Sequence, residues 1–411
     1  MDLKNELKFE LTNNILPYWI NKMLDRENGG FYGRIDGNEV LHRKANKGAI
    51  LNARLLWTFA AAYRILKKTE YLTMAERAYK YLIDHFIDRK NGGIFWELDY
   101  LGKPVNTKKQ TYAQGFALYG LSEFYRATGN REALEEAKNL FYVIEKHCYD
   151  PKYEGYFEAF TVDWQPIDDM RLSEKDANEK KTMNTHLHIL EPYTNLFRVW
   201  NNEQLKEAQT KLINVFVKFI VNQETNHLDL FFDEQWNRKS SIVSFGHDIE
   251  ASWLLFEAAE VLGNVELFEK IKKLSLKIAD VVFEGLQQDG SLIYETDLSA
   301  ALQPDRVETA NINMERHWWV QAEAVTGLMY AWTNSGNKIY LENALRVWNY
   351  IRNHIIDHTN GEWFWSRLPN GQINKLDDKA GFWKCPYHNG RMCMEIITLL
   401  PEINIEQHGE S

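Results

Sequence analysis

The amino-acid sequence predicts an all-α protein, an (α/α)6 barrel with six inner and six outer helices and short β-hairpin-like loops. Three observations lead to this fold class. A short motif of glycine followed by aromatic residues occurs six times. Twelve segments between and around the copies have the apolar spacing of helices. Every second helix begins with polar and aromatic side chains, which indicates two different helix environments.

The glycine–aromatic motif recurs along the whole chain at intervals of about 60 to 75 residues, a spacing that is typical of repeat architectures. Glycine followed by alternating aromatic residues predicts a turn that leads into a short strand. The six copies, of which the fourth is degraded, are Asn28–Tyr32, Asn91–Trp96, Glu154–Phe157, Leu228–Phe232, Asp289–Tyr294 and Asn360–Trp365.

Two helices are predicted between successive copies, joined by short links such as Gly129-Asn130 and Gly263-Asn264. The first helix has no partner before it and the last has none after it, so closure of a ring would pair these two. We expect a single domain over residues 1–411, because no linker rich in proline, serine or glycine divides the chain. The predicted helices are residues 3–25, 50–67, 72–88, 111–128, 133–148, 184–200, 203–221, 247–262, 265–284, 316–334, 339–356 and 387–399.

The longest connections precede inner helices, at residues 161–183, 296–315 and 366–386. The first of them is highly charged and contains Asp168-Asp169 and Glu174-Lys175-Asp176. Its composition predicts a solvated surface loop. Its position before an inner helix leaves a second interpretation open, in which the loop lies at the rim of a pocket or covers it.

The composition argues against several classes of partner and environment. The net charge is −10 and no basic run is present, so nucleic acid is not expected to bind. No run of about 18 apolar residues is present, so no membrane span is expected. Three cysteines without a CxxC pair indicate reduced thiols and a cytoplasmic protein. The 14 tryptophans indicate either a large core or a ligand with flat apolar faces, such as a sugar.

The alternate helices begin with side chains suited to binding and converting a sugar. Because the inner helices of such a barrel share one direction, their starts should converge on one pocket, where positive helix ends favour a developing oxyanion. The intervening helices start with ordinary residues, for example Glu132-Ala133. The candidate residues at these helix starts, in chain order, are Arg54, Tyr112, Asn184, His188, His247, Glu250, Trp319, Glu323 and His388.

The stretch 244–253 opens the eighth helix and concentrates several of these features. His247 and Glu250 are three residues apart and therefore share one face near the positive end of the helix. Gly246 offers an unusual backbone angle at the helix start, and Asp248 suits a first turn. We interpret His186 and His317 as structural histidines with satisfied hydrogen bonds, and the tryptophans at 57 and 253 as core residues.

These residues resemble the N-acyl-D-glucosamine 2-epimerase superfamily, and most closely its cellobiose 2-epimerase branch. The resemblance extends from the second helix to the last and is specific when the motifs are taken together. The motifs that carry it are Asn52-Ala53-Arg54, Asn184-Thr185-His186-Leu187-His188-Ile189-Leu190-Glu191, residues 246–253, Arg316-His317-Trp318-Trp319-Val320-Gln321-Ala322-Glu323 and Trp383-Lys384-Cys385-Pro386-Tyr387-His388-Asn389-Gly390-Arg391.

The resemblance implies an (α/α)6 barrel, in agreement with the repeats, and C2 epimerisation of the reducing-end glucose of cellobiose or lactose to mannose. It implies that His247 and His388 are the two acid/base groups. The residues implied to support them are Arg54, His188, Glu250 and Glu323. The residues implied to contact the sugar rings are Tyr112, Asn184, Trp319 and Trp383.

Epimerisation at C2 needs two bases, because the proton next to the open-chain aldehyde leaves one face and returns to the other. Histidine suits both roles, since its ordinary pKa lies near working pH. Arg54 would stabilise the enediolate, and Glu250 would orient His247 or bind a sugar hydroxyl. No redox cofactor or metal is required. We expect a reducing disaccharide as the partner, no membrane or nucleic acid, and a monomer or weak homodimer.

Other classes of function remain open at this point. Many (α/α)6 barrels are glycoside hydrolases, which need paired carboxylates, but two histidines would then have no role. A zinc site lacks the HExxH spacing, and a non-catalytic sugar-binding protein would not need the histidines. The closest rivals are an aldose–ketose isomerase of the mannose isomerase type, which moves a proton between C1 and C2, and an N-acylglucosamine 2-epimerase.

Overall fold

The computed structural model describes residues 3–301 and 313–400, and this part contains twelve long helices. Several of them continue without a break from regular α-helix into a final π-helical or 3₁₀ turn. The helices are α1 (Leu3–Glu10, Leu11–Ile15 and Leu16–Lys22), α2 (Ala49–Leu66), α3 (Thr69–Tyr81 and Leu82–Phe86), α4 (Thr111–Thr128), α5 (Arg131–His147), α6 (Met183–Phe197), α7 (Glu203–Val215 and Phe216–Ile220), α8 (Phe245–Leu262), α9 (Val265–Val281 and Val282–Glu284), α10 (Trp318–Ser335), α11 (Lys338–Tyr350 and Ile351–Ile355) and α12 (His388–Leu399).

The helices form two concentric rings. Each even-numbered helix packs on the next even-numbered helix, and contacts between α12 and α2 close the inner ring. The odd-numbered helices form the outer ring, and α1 packs on α12, as expected from ring closure. The predicted (α/α)6 barrel is therefore confirmed.

The burial pattern explains which helices lie inside. Helix α2 is buried at every position from Ala49 to Ala62, because outer helices and inner neighbours cover all its faces. Helix α5 shows the one-sided pattern of a surface helix. Its buried residues recur every three or four positions and are Ala133, Leu134, Ala137, Leu140, Phe141 and Ile144.

Short antiparallel strands link neighbouring repeats at one end of the barrel. Five of the six inner helices are directly preceded by a strand, and each of these strands pairs with one from the following repeat. The strands are β1 (Lys47–Gly48), β2 (Glu97–Leu98), β3 (Pro104–Asn106), β4 (Lys109–Gln110), β5 (Ala159–Phe160), β6 (Lys181–Thr182), β7 (Phe231–Phe232), β8 (Ile242–Ser244), β9 (Glu295–Asp297), β10 (Arg316–His317) and β11 (Ser366–Arg367).

Buried ion pairs fasten the glycine–aromatic turns to the segments that lead into inner helices. In four repeats an aspartate next to the turn binds a lysine on such a segment, at 2.5 to 2.8 Å. Each aspartate also accepts backbone N–H groups of its turn, so the lysine charge and the turn geometry are satisfied together. The pairs are Lys47–Asp25, Lys109–Asp88, Lys181–Asp150 and Lys379–Asp357.

Both ends of all twelve helices lie within three residues of the expected positions. Residues 316 and 317 differ, because they form strand β10 against β11 and the helix starts at Trp318. Much of the expected connection 296–315 lies outside the described residues. Among the described helices, none combines the length and apolar composition that crossing a membrane requires.

Candidate active site

The first turns of the inner helices bring the candidate residues together at one end of the barrel. Arg54 on α2 donates from Nη2 to Tyr112 Oη on α4, at 2.9 Å. The Tyr112 ring in turn packs on His188 of α6, with ring centroids 4.9 Å apart. Gly115 makes this approach of α4 to α6 possible, because a Cβ there would lie 2.4 Å from the carbonyl oxygen of His188.

His388 begins α12 and is only 5% exposed. Its Nδ1 lies 2.7 Å from Oε1 of Glu323 on α10, and its ring packs on Trp319 at 5.6 Å. Burial lowers the pKa of His388 to about 3, although the Glu323 carboxylate opposes the shift. The ring is therefore neutral at pH 7 and has the lone pair of a general base.

Arg391, one turn after His388, ties together carboxylates from three different inner helices. Its Nη1 donates to Glu191 Oε2 at 2.5 Å, and its Nη2 donates to Glu250 Oε1 at 2.5 Å and to Glu323 Oε1 at 2.7 Å. All four side chains are buried. A buried guanidinium that is matched by several carboxylates holds them in one geometry.

Glu191 extends this network to His188. Nδ1 of His188 lies 2.6 Å from Glu191 Oε1, and Tyr387 donates its hydroxyl to Glu191 Oε2 at 2.5 Å. Burial lowers the pKa of His188, with the Glu191 charge acting against that shift. His188 is thus held by a carboxylate in the same way as His388.

His247 on α8 has a different partner. Its Nδ1 lies 2.9 Å from Ser244 Oγ, and its ring packs on Trp319 at 4.7 Å. Burial, followed by the charges of His188 and His388, lowers the pKa of His247 to about 3. The backbone of Gly246 is helical rather than unusual, so the reason expected for this glycine was wrong: a Cβ would lie 2.7 Å from the Trp319 ring.

Glu250 contacts Arg391 rather than His247, so it does not orient that histidine directly. Its Oε1 lies 3.9 Å from Nδ1 of His388. Its Oε2 is buried and has no hydrogen-bond partner in the described residues, which leaves this oxygen for a ligand. Burial and the charge of Glu323 raise the pKa of Glu250 well above its usual range, and the Arg391 guanidinium opposes this shift.

Arg54 lies between aromatic rings next to the same cluster. Its guanidinium carbon is 4.2 Å from the Phe116 ring centroid and 4.8 Å from that of Tyr387. It also donates to the backbone oxygen of Trp383 at 3.4 Å, while Nε has no partner in the described part of the chain. Because aromatic faces stabilise the guanidinium without accepting its hydrogen bonds, Arg54 keeps N–H groups that are able to donate to an oxyanion.

A cavity of about 290 Å3 opens beside His247, and of the ten candidate residues only His247 and Asn184 lie in its lining. Oδ1 of Asn184 is another buried oxygen without a partner among the described residues. Trp383, half-buried in the last long loop, packs on Tyr112 at 6.0 Å. The lining combines carboxylate, amide and imidazole groups with apolar side chains such as Leu230, so the cavity suits a ligand with both hydroxyl groups and apolar faces.

Loop 161–183 covers this cavity, so its description as a solvated surface loop was incomplete. Met170, Leu172 and Asp176 face the cavity. The loop is fixed at its base where Gln110 Nε2 donates to the Arg171 backbone oxygen at 2.8 Å. At its tip, Lys175 reaches Asp377 in the last long loop at 3.8 Å. The second interpretation of this loop, in which it lies at the rim of a pocket or covers it, is therefore the one observed.

Glu250, Glu323 and His388 present donor atoms within 4.8 Å of one another, which is the spacing of a metal site. The Arg391 guanidinium already binds both carboxylates, and it supplies the positive charge that a metal ion would otherwise provide. The cluster therefore fits a network of hydrogen bonds better than a metal centre.

Several residues of this network were not among the sequence candidates. Arg391 and Tyr387 lie inside the quoted last motif, and Arg391 is three residues after His388, a spacing that places both on one helix face. Ser244 precedes His247 by three residues, and no role was predicted for it from the sequence beyond its place in the stretch that opens the helix. By contrast, His186 is confirmed as structural: it accepts from the Tyr156 backbone N–H at 2.9 Å and contacts the Thr182 oxygen.

The fold and the site together define an (α/α)6 barrel whose inner-helix starts carry imidazole, carboxylate and guanidinium groups. Residues 30–390 match the family of N-acylglucosamine 2-epimerases (GlcNAc 2-epimerases), and the chain belongs to this family. This membership places it among isomerases of the epimerase type.

The relatives cover almost the whole chain. A cellobiose 2-epimerase of Bacteroides fragilis is 55% identical over 395 residues, which is 96% of this chain and 98% of the relative. One from Ruminococcus albus is 41% identical, also over 96% and 98%. The structure of cellobiose 2-epimerase from Bacillus thermoamylovorans has a TM-score of 0.90 at 40% identity, covering 96% of this chain and 99% of that one.

Proposed function

We propose that this protein epimerises the reducing-end glucose of β1,4-linked disaccharides such as cellobiose and lactose at C2, which gives a mannose reducing end. Similarity to cellobiose 2-epimerases along nearly the full length supports the reaction and the substrate class. The structural observation that carries the mechanism is that His247 and His388, on different helices, both pack on the Trp319 ring, with ring centroids 4.7 and 5.6 Å from it.

The reaction starts from the open-chain aldehyde, whose carbonyl acidifies the proton at C2. One imidazole takes this proton, and the C–H electron pair forms the C1–C2 double bond of an enediolate. The other histidine, which has taken up a proton from solvent, gives that proton from its imidazolium to the opposite face of C2, where the enediolate electron pair forms the new C–H bond and the C1 carbonyl re-forms. Because burial keeps the unprotonated imidazole favoured, either ring is able to accept a proton at neutral pH.

The surrounding charges suit this proton transfer. When His388 takes a proton, the Glu323 carboxylate at Nδ1 stabilises the imidazolium. Arg54 stabilises the negative charge that develops on O1 and O2 of the enediolate. Glu250, through its unpartnered Oε2, hydrogen-bonds a sugar hydroxyl.

The remaining parts of the proposal concern the molecule in the cell. The free, buried thiols of Cys148, Cys385 and Cys393 support a reducing, cytoplasmic compartment. The reaction needs neither a metal nor a nicotinamide cofactor, and the proposed state is a monomer or weak homodimer acting as one domain.

The test is incubation of the purified protein with cellobiose, lactose, mannose and N-acetylglucosamine in separate reactions, followed by identification of the products. Glucosyl-mannose from cellobiose and the mannose-ended epimer from lactose would support the proposal. A ketose as the main product would favour the aldose–ketose isomerase, turnover of N-acetylglucosamine alone would favour the acylglucosamine epimerase, and free monosaccharides from cellobiose would indicate a hydrolase.

A further inference from the structure

Ser244 is the last residue of strand β8 and the N-cap of helix α8, where a serine normally accepts a hydrogen bond from a backbone N–H of the first turn. Ser244 makes no such cap. In the described chain, the outer helices α5, α7, α9 and α11 all begin with an asparagine whose side chain does cap the helix. The Ser244 hydroxyl contacts Nδ1 of His247 instead. The N-cap residue of this helix therefore hydrogen-bonds a histidine side chain rather than the backbone.

The partner of His247 also differs chemically from those of the other two histidines. Glu323 and Glu191 are carboxylates, which favour a proton on Nδ1 of His388 and His188. A serine hydroxyl is neutral and both donates and accepts, so it satisfies Nδ1 of His247 in either protonation state. With Nδ1 engaged, Nε2 is the nitrogen that reaches a substrate in the cavity.

We propose that Ser244 is the positioning residue for His247: it orients the ring through Nδ1 while keeping it free of a paired negative charge. This inference rests on the proposed epimerisation. Ser244 is completely buried and is fixed in register by the pairing of β8 with β9, where Ser244 is opposite Glu295. The Trp319 ring holds His247 from another side, so the hydroxyl sets the remaining rotation of the imidazole.

If Ser244 positions only His247, its loss should affect proton transfer at only one face of C2. Loss of the Ser244 hydroxyl should impair proton transfer by His247 and leave transfer by His388 intact, because His388 depends on Glu323. In D2O, an epimer that presents its C2 proton to His388 would still exchange it for deuterium. Inversion of C2, which needs both histidines, would slow down.

The experiment compares Ser244→Ala, Ser244→Thr and wild type, with cellobiose and with its epimer as separate substrates in D2O. The control is Ser252→Ala on the same helix, since Ser252 is also buried but bonds only the Ile249 backbone oxygen. We expect Ser244→Ala to lower kcat for epimerisation about tenfold, the size of one lost hydrogen bond, with KM little changed. Threonine should restore most of the rate, and the control should match wild type.

The decisive readout is the exchange of deuterium into each substrate by Ser244→Ala. The inference is supported if Ser244→Ala still exchanges deuterium into one epimer, no longer does so into the other, and no longer inverts C2. Wild-type kcat in Ser244→Ala, equal loss of exchange for both epimers, or failure of a folded Ser244→Thr to restore the rate would overturn it. Absence of epimerisation in the wild type would instead refute the proposed function.

Discussion

Oε1 of Glu323 lies 2.7 Å from Nδ1 of His388, and the same oxygen accepts a hydrogen bond from Arg391 at 2.7 Å. Although burial alone would raise it, the charge of Arg391 and the contact with His388 lower the pKa of Glu323 to about 2. The carboxylate is therefore ionised throughout the working pH range, and it faces the ring that has to become an imidazolium during proton transfer.

Replacement of Glu323 by glutamine should lower kcat about 10- to 100-fold, because the charged hydrogen bond to His388 becomes a neutral one of similar shape. The measurement is steady-state epimerisation of cellobiose at pH 7. Glu135→Gln, an exposed carboxylate paired with Lys138 on the outer helix α5, provides the matched control and should keep wild-type kcat. An unchanged kcat in Glu323→Gln would contradict the role given to this carboxylate.

Removal of Arg391 should act mainly on stability. Arg391→Met leaves buried carboxylates without their cation, and we expect the free energy of unfolding to fall by about 3–5 kcal/mol at pH 7. The difference from wild type should shrink as the pH falls, because protonation removes the unpaired negative charges. Chemical denaturation at pH 7 and pH 5 measures both effects.

Arg34→Met serves as the comparison for the Arg391 variant. Its partner Asp378 forms an ion pair near the surface at 2.7 Å, and loss of such a pair costs less than about 1 kcal/mol. Equal destabilisation by the two substitutions would show that the buried network contributes no more than an ordinary surface pair.

His186 allows a test of how burial of a histidine affects stability. Burial lowers the pKa of His186 to about 3, so between pH 6.5 and 3 the unfolded chain binds a proton that the folded protein does not. Stability is therefore lost as the pH falls from 6.5 towards 3, at about 1.4 kcal/mol per pH unit for this residue. His186→Gln should weaken that dependence.

Glutamine is the appropriate replacement because Gln114 and Gln321 occupy the equivalent fourth positions of α4 and α10. Each accepts a turn N–H and donates to the backbone oxygen four residues earlier, as His186 does. His186→Gln should keep near wild-type kcat at pH 7. If the pH dependence of unfolding is the same in wild type and variant, His186 is not held neutral.

Trp383 should favour a disaccharide over a monosaccharide. It lies in the loop before α12, packs on Tyr112 and Trp96, and offers an indole face for the second sugar ring. We expect wild type to have a higher kcat/KM for cellobiose than for glucose, and Trp383→Ala to reduce this ratio. Trp200→Ala, on the outside of the barrel, is the control. Preference of the wild type for glucose would contradict the prediction.

The sequence predicted the barrel because its repeats report directly on architecture. Glycine–aromatic turns and two helices per repeat leave few alternatives to a closed ring. The buried pairs such as Lys47–Asp25 were not predicted, because each joins residues 21 to 31 positions apart whose burial depends on ring closure.

The candidate residues at the helix starts were predicted to converge, and the structure places them together, but their hydrogen-bond partners were not accessible from spacing. Arg391 binds carboxylates on α6, α8 and α10, so its importance appears only when four helices are assembled. Glu250 and His247 share a helix face in the sequence, yet their side chains turn to different partners, Arg391 and Ser244.

The most direct test of the two-histidine account is the conversion of cellobiose by the wild-type protein in D2O, followed by NMR of the reducing end. The account predicts glucosyl-mannose with deuterium from solvent at C2, and loss of this conversion by at least about 100-fold in His247→Ala and in His388→Ala. An epimer that retains the original hydrogen at C2, a ketose as the main product, or substantial turnover by either histidine variant would contradict it.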